Sequence, residues 1–143
     1  MAERRLRTAL ALARICARPQ AAWLATGAHR MAAHITIMPA SGTVTIRANG
    51  AVIGETERAL ELREGSAAPV LYVPRADMAM ALLDKTARQT TCPHKGQASY
   101  YSIVTPGGTL ENVVWSYEAP LQSMQDIAGH LAFYTDRVTV ERR

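Results

Sequence analysis

The segment Thr43-Val44-Thr45-Ile46-Arg47-Ala48-Asn49-Gly50-Ala51-Val52-Ile53 decides the class of fold. Polar and apolar residues alternate from Thr43 to Arg47, as in a strand that buries one face. Asn49-Gly50 then indicates a two-residue hairpin turn, because both residue types tolerate positive φ. Ala51-Val52-Ile53 returns as the second strand. The segment therefore predicts an antiparallel β-hairpin.

Similar strand signals recur along the rest of the chain. Further strands are predicted at residues 58–63, 70–73, 98–104, 110–117, 131–134 and 138–140, which gives roughly seven to nine strands in total. Pro106-Gly107-Gly108 is predicted to be a hairpin loop. Helical composition predicts two short helices, at residues 76–83 and 121–130. The sequence thus predicts a mainly β fold of antiparallel strands with two short helices.

Composition limits the classes of protein that the chain can be. Its 143 residues suit one domain, and 48% hydrophobic with 20% charged residues excludes a disordered or collagen-like chain. No run of about 18 apolar residues offers a transmembrane helix. The two cysteines, Cys16 and Cys92, exclude a disulfide scaffold and favour a reducing compartment. We therefore expect a soluble cytoplasmic protein.

The net charge of +4 comes from the N-terminal segment. Residues 1–30 hold six arginines and one acidic residue, whereas residues 31–143 are close to neutral. The main body lacks the clustered Lys and Arg that bind phosphate backbones, so no nucleic-acid partner is expected.

Residues 1–34 are predicted to form an Arg-rich helical extension, because Ala, Leu and Arg are good helix formers. Three interpretations stay open. In the first, translation naturally starts at Met31 and residues 1–30 are not part of the natural protein. In the second, the extension is a poorly ordered appendage or a helix that contacts a partner. In the third, it is an organelle targeting peptide. Residues 35–143 are predicted to be a single domain.

The densest chemical motif is Thr91-Cys92-Pro93-His94-Lys95-Gly96. A nearby cation lowers the pKa of a thiol, so Lys95 would favour a reactive thiolate at Cys92. His94 would be a neighbouring base. The alternative is a turn between strands that holds a buried cysteine and two solvated side chains.

Aromatic residues form a second motif. Tyr100 and Trp115 lie on the two arms of the hairpin predicted around Gly107-Gly108, and Trp115 shares a strand face with Tyr117. They would line a ligand pocket, or they would fill a β core. His130 is either a base near Cys92 or the cap of a helix end.

Several chemistries are not supported by any motif. The chain has no phosphate-binding loop of the Gly-x-x-x-x-Gly-Lys-Ser/Thr type, no Gly-x-Ser-x-Gly and no His-Glu-x-x-His. Cys92 and His94 are potential zinc ligands, but the chain has no Cys-x-x-Cys pair. No metal and no cofactor are therefore predicted.

Five motifs together resemble a known family. They are Arg58-x-Leu60, Tyr72-x-Pro74-Arg75-x-Asp77, Cys92-Pro93-His94-Lys95-Gly96-x-Ala98-x-Tyr100-Tyr101, Trp115-x-Tyr117-x-x-Pro120 and Gly129-x-x-Ala132-Phe133-Tyr134. From about residue 35 onwards the chain is similar to the bacterial domain of unknown function 427 family. The resemblance implies a β-tent-like fold, in which two antiparallel sheets meet along one edge and splay apart.

The resemblance does not bring a function with it. A nucleotidyltransferase label sometimes attaches to this family, but this chain has no Asp-x-Asp or Asp-x-Glu beside a Gly-Ser motif to hold Mg²⁺ against a triphosphate. Some β-tent relatives hold zinc on two Cys-x-x-Cys pairs, which this chain lacks. Other relatives bind small ligands between the sheets or use a catalytic cysteine.

Three functional hypotheses follow. In the first, a small polar or anionic molecule binds in a cleft between the sheets; the predicted binding residues are Arg75, Lys95, Tyr100, Trp115, Tyr117 and His130. In the second, Cys92 is the nucleophile of an enzyme, His94 or His130 is its base, and Lys95 stabilises the developing anion. In the third, the chain is an interaction domain that forms a homodimer through a sheet edge.

The first two hypotheses share a geometric requirement. Cys92 or Lys95 must lie within about 8 Å of Trp115, Tyr117 or His130, as one pocket would allow.

Overall fold

The computed structural model describes residues 34–143. The extension predicted for residues 1–34 lies outside the described residues except for His34. Within the described part the chain forms ten strands: β1 Ile35–Pro39, β2 Val44–Ala48, β3 Ala51–Thr56, β4 Leu60–Glu64, β5 Val70–Tyr72, β6 Leu83–Cys92, β7 Gly96–Thr105, β8 Gly108–Ser116, β9 Ala132–Phe133 and β10 Thr139–Arg142.

The strands form three antiparallel sheets in the described part of the chain. Their strand orders are β1-β4-β5, β10-β2-β3 and β6-β7-β8-β9. The prediction of a mainly β fold is confirmed, but the prediction of two sheets was wrong. The unpredicted β1 and β6 extend the sheets. β6 is the edge strand of its sheet. It was not predicted because its mostly polar sequence lacks the apolar alternation of a half-buried strand.

The two predicted hairpin turns are confirmed. Asn49 and Gly50 take φ values of 49° and 81° and connect β2 to β3, which pair antiparallel. Both positive φ values fit the twist of a two-residue hairpin. Pro106 and Gly107 turn the chain between β7 and β8.

The two predicted helices are present only as 3₁₀ segments that are shorter than predicted. Residues 75–83 contain two single turns of 3₁₀ helix, Arg75–Asp77 and Met80–Leu82, because Met78 between them is extended and bridges Gly54 of β3. Residues 121–130 contain the 3₁₀ segment Gln122–Ile127, which is kinked at Met124. No helix in residues 34–143 has the length and apolar character needed to cross a membrane.

The four-stranded sheet β6-β7-β8-β9 carries apolar residues on both faces, and each face belongs to a separate core. Register places Tyr101, Val114 and Phe133 side by side on one face, and Tyr100, Trp115 and Ala132 on the other. The first core joins the first face to sheet β10-β2-β3 and includes Val44, Ile46, Ile53, Tyr101, Ile103, Val114 and Phe133. The second core joins the other face to sheet β1-β4-β5 and includes Leu62, Tyr72, Cys92, Tyr100, Trp115, Tyr117 and Tyr134.

Candidate functional site

The cysteine motif forms the tight turn that connects β6 to β7. Cys92 pairs with Gly96 across the two strands, and the amide of Lys95 donates a hydrogen bond to the carbonyl of Cys92 at 3.3 Å. The carbonyl of Lys95 accepts a hydrogen bond from the amide of Leu121 at 2.9 Å. The turn is therefore fixed at both ends and packed against the segment that follows β8.

Three ionisable side chains gather inside this turn. Cys92 is 2% exposed, Lys95 is 3% exposed and Glu64, at the end of β4, is 8% exposed. The Nζ atom of Lys95 lies 2.7 Å from Oε1 of Glu64 and 3.7 Å from Sγ of Cys92. We call this group the Glu64–Cys92–Lys95 cluster. The alternative for this motif was a turn with a buried cysteine and two solvated side chains. Lys95 is instead buried, and the carboxylate of Glu64 compensates its charge.

Two polar atoms near the turn are buried without a hydrogen-bond partner among the described residues. They are Oε2 of Glu64 and Nε2 of His94. A buried carboxylate oxygen without a donor is costly, because it has lost water and gained nothing in return. Glu64 therefore keeps an unused acceptor site beside the Lys95 ammonium. The catalytic roles of Cys92, His94 and Lys95 stay predictions.

The predicted aromatic residues lie in the second core. Tyr100, Trp115 and Tyr117 are buried there together with Cys92, so the structure brings these four residues into one cluster. Nε1 of Trp115 donates a hydrogen bond to the Tyr72 hydroxyl at 3.3 Å. The hydroxyls of Tyr100 and Thr90 are 3.0 Å apart. These contacts make the aromatic side chains packing elements between two sheets, and their role in binding a ligand stays a prediction.

Arg75 belongs to a different group of polar side chains, on the other face of the four-stranded sheet. Its Nη2 atom lies 2.7 Å from Oε2 of Glu118 and 3.1 Å from the hydroxyl of Tyr101. Nζ of Lys85 donates to Oε1 of the same carboxylate at 2.6 Å. Ser116 also accepts a hydrogen bond from Nη2, at 3.3 Å. We call Arg75, Lys85, Tyr101, Ser116 and Glu118 the Arg75 cluster.

The local fold explains how the Arg75 cluster assembles. Lys85 is opposite Tyr101 in the β6–β7 register, and Ser116 ends β8 just before Glu118. Arg75 begins the first 3₁₀ turn, and its Nε donates a hydrogen bond to the carbonyl of Gly129 at 2.7 Å. Strands, turn and loop thus hold the guanidinium from two sides.

Electrostatics keep Glu118 ionised. Burial alone would raise the pKa of its carboxyl group, but hydrogen bonds from Lys85, Tyr101 and Ser99, together with the charge of Arg75, lower the pKa to about 2. Burial and the hydrogen bond to Glu118 raise the pKa of Tyr101, so its hydroxyl stays protonated and donates to Oε2 at 2.7 Å. The cluster therefore holds two cations against one carboxylate.

His130 lies at the border of the Arg75 cluster. It follows Gly129, whose carbonyl accepts the Nε–H of Arg75, and its own Nδ1 lies 3.2 Å from the carbonyl of Ala128. Of the six predicted binding residues, Arg75 belongs to this cluster, and it contacts the backbone carbonyl of Gly129 just before His130. Lys95, Tyr100, Trp115 and Tyr117 lie on the other side of the four-stranded sheet. Within residues 34–143 no three His, Cys, Asp or Glu side chains gather as a metal site requires.

Sequence reasoning missed Glu64, Lys85, Ser116 and Glu118. The available signal was in the strands, where Ser99, Tyr101 and Ser116 carry polar groups at positions that are buried in β7 and β8. Polar residues at buried strand positions need partners, and these partners come from parts of the chain that only the fold brings together.

These observations define a class: a mainly β protein of three antiparallel sheets, with a buried ion pair on one side of its largest sheet and a partly exposed cationic cluster on the other. Residues 36–143 match the model of the family described as a domain of unknown function (DUF427), and the chain belongs to that family. The resemblance inferred from the five motifs is confirmed. No curated protein matches the chain.

Proposed function

We propose that this protein binds a small anionic molecule at the Arg75 cluster. The observation that carries the proposal is the excess of positive charge at a partly exposed position. Arg75 and Lys85 share one carboxylate, and their side chains are 32% and 54% exposed. A ligand carboxylate or phosphate would compensate the remaining charge.

The guanidinium of Arg75 is held in place before any ligand arrives. Hydrogen bonds from Nε to Gly129 and from Nη2 to Tyr101 and Glu118 fix its plane. Among the described residues, Nη1 makes no hydrogen bond. A planar group with an unused donor edge suits a carboxylate or phosphate, and its fixed position reduces the entropy that binding costs.

Lys85 supplies the second donor group. Its ammonium has three N–H groups. One of them donates to Oε1 of Glu118, and the structure gives the other two no partner among residues 34–143. Glu118 thus orients both cations without neutralising both, which favours ligands with one or two negative charges.

The proposed ligand is anionic, as the sequence predicted, but its proposed site is the Arg75 cluster and not the predicted cleft between the sheets. Burial of Lys95 against Glu64 removes that lysine from the set of cations that a ligand can reach without displacing a carboxylate. Arg75 is the predicted cation that retains solvent contact, and the predicted residue His130 follows Gly129, whose carbonyl accepts a hydrogen bond from Arg75. We therefore assign the anion to the Arg75 side of the sheet.

The test is a thermal-shift and calorimetric titration with inorganic phosphate and a series of mono- and dicarboxylates at constant ionic strength. In Lys85→Gln we expect affinity for the best anion to fall about tenfold, or about 1.4 kcal/mol. Arg63→Gln is the matched control, because Arg63 is an exposed cation paired with Glu61 on β4, outside the Arg75 cluster. Equal binding by wild type, Lys85→Gln and Arg75→Gln would overturn the proposal.

A further inference from the structure

We propose that Cys92 and Lys95 form a reversible covalent link, a sulfenamide between Sγ and Nζ, when a hydroperoxide oxidises the protein. The two atoms are 3.7 Å apart. The residues are three positions apart in a turn whose backbone hydrogen bond closes between the same two residues. A bond between the side chains therefore requires movement of side-chain atoms only.

Burial keeps the amine beside the thiol. A lysine at a surface turn would extend its ammonium into water, but Lys95 is 3% exposed and points at Cys92 and Glu64. The salt bridge to Glu64 anchors Nζ at 2.7 Å. The nucleophile for the second step is thus already in place before the thiol is oxidised, and intramolecular placement of this kind accelerates bond formation.

The first step is oxidation of the thiol. The sulfur of Cys92 attacks one oxygen of the hydroperoxide, the O–O bond breaks, and the thiol proton leaves with the departing oxygen. With hydrogen peroxide the products are the sulfenic acid of Cys92 and water. Sulfur is oxidised and the peroxide is reduced.

The second step consumes the sulfenic acid. The ammonium of Lys95 first gives a proton to Oε1 of Glu64, to which it donates a hydrogen bond at 2.7 Å. The neutral amine then attacks the sulfur, the S–N bond forms, the S–O bond breaks, and the hydroxide leaves as water with a proton from nitrogen. Sulfenic acids are known to condense with a backbone nitrogen to form a sulfenamide, and here the amine of Lys95 takes the place of that nitrogen. The product is a neutral link beside a neutral Glu64 carboxyl group, so no unpaired charge remains buried.

The protein sequence provides a direct readout. Trypsin cleaves after Arg88 and Lys95, so the peptide of residues 89–95 contains both partners, and no Lys or Arg follows before Arg137. A sulfenamide removes the Lys95 charge that trypsin recognises. We expect hydrogen peroxide to replace this peptide by one spanning residues 89–137 that is about 2 Da lighter than the same segment without the link. Treatment with dithiothreitol should restore cleavage.

Two variants of the full chain separate this chemistry from ordinary oxidation. Lys95→Arg keeps a cation beside Glu64 and the tryptic site but lacks a nucleophilic amine, so Cys92 should proceed to sulfinic acid. Cys92→Ser keeps Lys95 and Glu64 but lacks the sulfur, so hydrogen peroxide should leave cleavage after Lys95 unchanged. The proposal is overturned if wild-type Cys92 reaches sulfinic acid with normal cleavage after Lys95, or if Cys92 resists peroxide while the protein stays folded.

Discussion

The indole N–H of Trp115 on β8 donates a hydrogen bond to the hydroxyl of Tyr72 on β5, and this bond connects the four-stranded sheet to sheet β1-β4-β5 inside the second core. The N···O distance is 3.3 Å. Because both residues are buried, water cannot replace the tyrosine hydroxyl as the indole's acceptor.

We predict that Tyr72→Phe lowers the free energy of unfolding by about 1–3 kcal/mol, since it leaves the indole N–H buried without a partner. Urea unfolding monitored by circular dichroism measures the change. The control adds the same substitution to Trp115→Phe, where the donor is already gone. In the Trp115→Phe background, Tyr72→Phe should lower the free energy of unfolding by clearly less. Equal costs in both backgrounds would show that the hydrogen bond contributes nothing.

The extent to which the fold was predictable depends on where each strand lies. β2 and β3 were predicted because one face of each is buried and the turn Asn49-Gly50 separates them. β6 was not predicted, because its sequence between Leu83 and Cys92 is mostly polar or charged and shows no apolar alternation. The segment of Met78 resembled a helix by composition, yet pairing with Gly54 keeps it extended. Local propensity is a weak signal, and tertiary contacts override it.

The candidate sites were predictable only where their residues are close in sequence. The Cys92 motif identified Lys95 as a neighbour of the thiol, and the two side chains do meet. Glu64, the residue that binds Lys95, lies 31 positions away and gave no local signal. Glu118 likewise joins Arg75 across 43 positions. Periodicity indicates which face a side chain takes, but it does not indicate which distant charge shares that face.

The buried pair of Glu64 and Lys95 yields a second prediction. Lys95→Met should lower the free energy of unfolding by about 3–5 kcal/mol, because it strands the Glu64 charge in the protein interior. The double variant Glu64→Gln with Lys95→Met should recover part of that loss, since neither side chain is then charged. Chemical unfolding at neutral pH measures all four proteins of the cycle. If the double variant loses more unfolding free energy than the two single variants lose in sum, the ion-pair explanation is contradicted.

The third prediction concerns the response of stability to acid. The pKa of Glu118 is lowered to about 2 in the folded protein, against an ordinary value of 4.5. A lowered folded-state pKa adds stability above the ordinary value, and this stability is lost as the pH falls from 4.5 towards 2. Because a third of the side chain is exposed, solvent screening reduces the contribution to about 1 kcal/mol.

Urea unfolding of wild type and Glu118→Gln at intervals from neutral pH down to about pH 2 checks this. Other carboxyl groups, such as Asp77, titrate in both proteins, so the difference between the two curves reports Glu118. The difference should be constant above pH 5 and should shrink below pH 4.5. A difference that does not change with pH would mean that the carboxylate charge is not what stabilises the Arg75 cluster.

The fourth prediction separates close packing from backbone strain at Gly96. Gly96 takes a φ of +114°, and a Cβ there would lie 3.3 Å from Cα of Pro120 and 3.4 Å from the amide nitrogen of Leu121. Gly108 has a φ of +128°, but a Cβ there would meet no atom within 4 Å. Gly108→Ala should therefore cost about 1–3 kcal/mol of unfolding free energy from strain alone. Gly96→Ala should cost more, because backbone atoms of the segment after β8 must also move, and it should disturb the hydrogen bond between Leu121 and Lys95.

Chemical denaturation of the two variants measures both losses of unfolding free energy, and amide exchange at Leu121 reports the hydrogen bond. If Gly96→Ala costs no more than Gly108→Ala and Leu121 stays protected, the turn does not depend on close approach to Pro120.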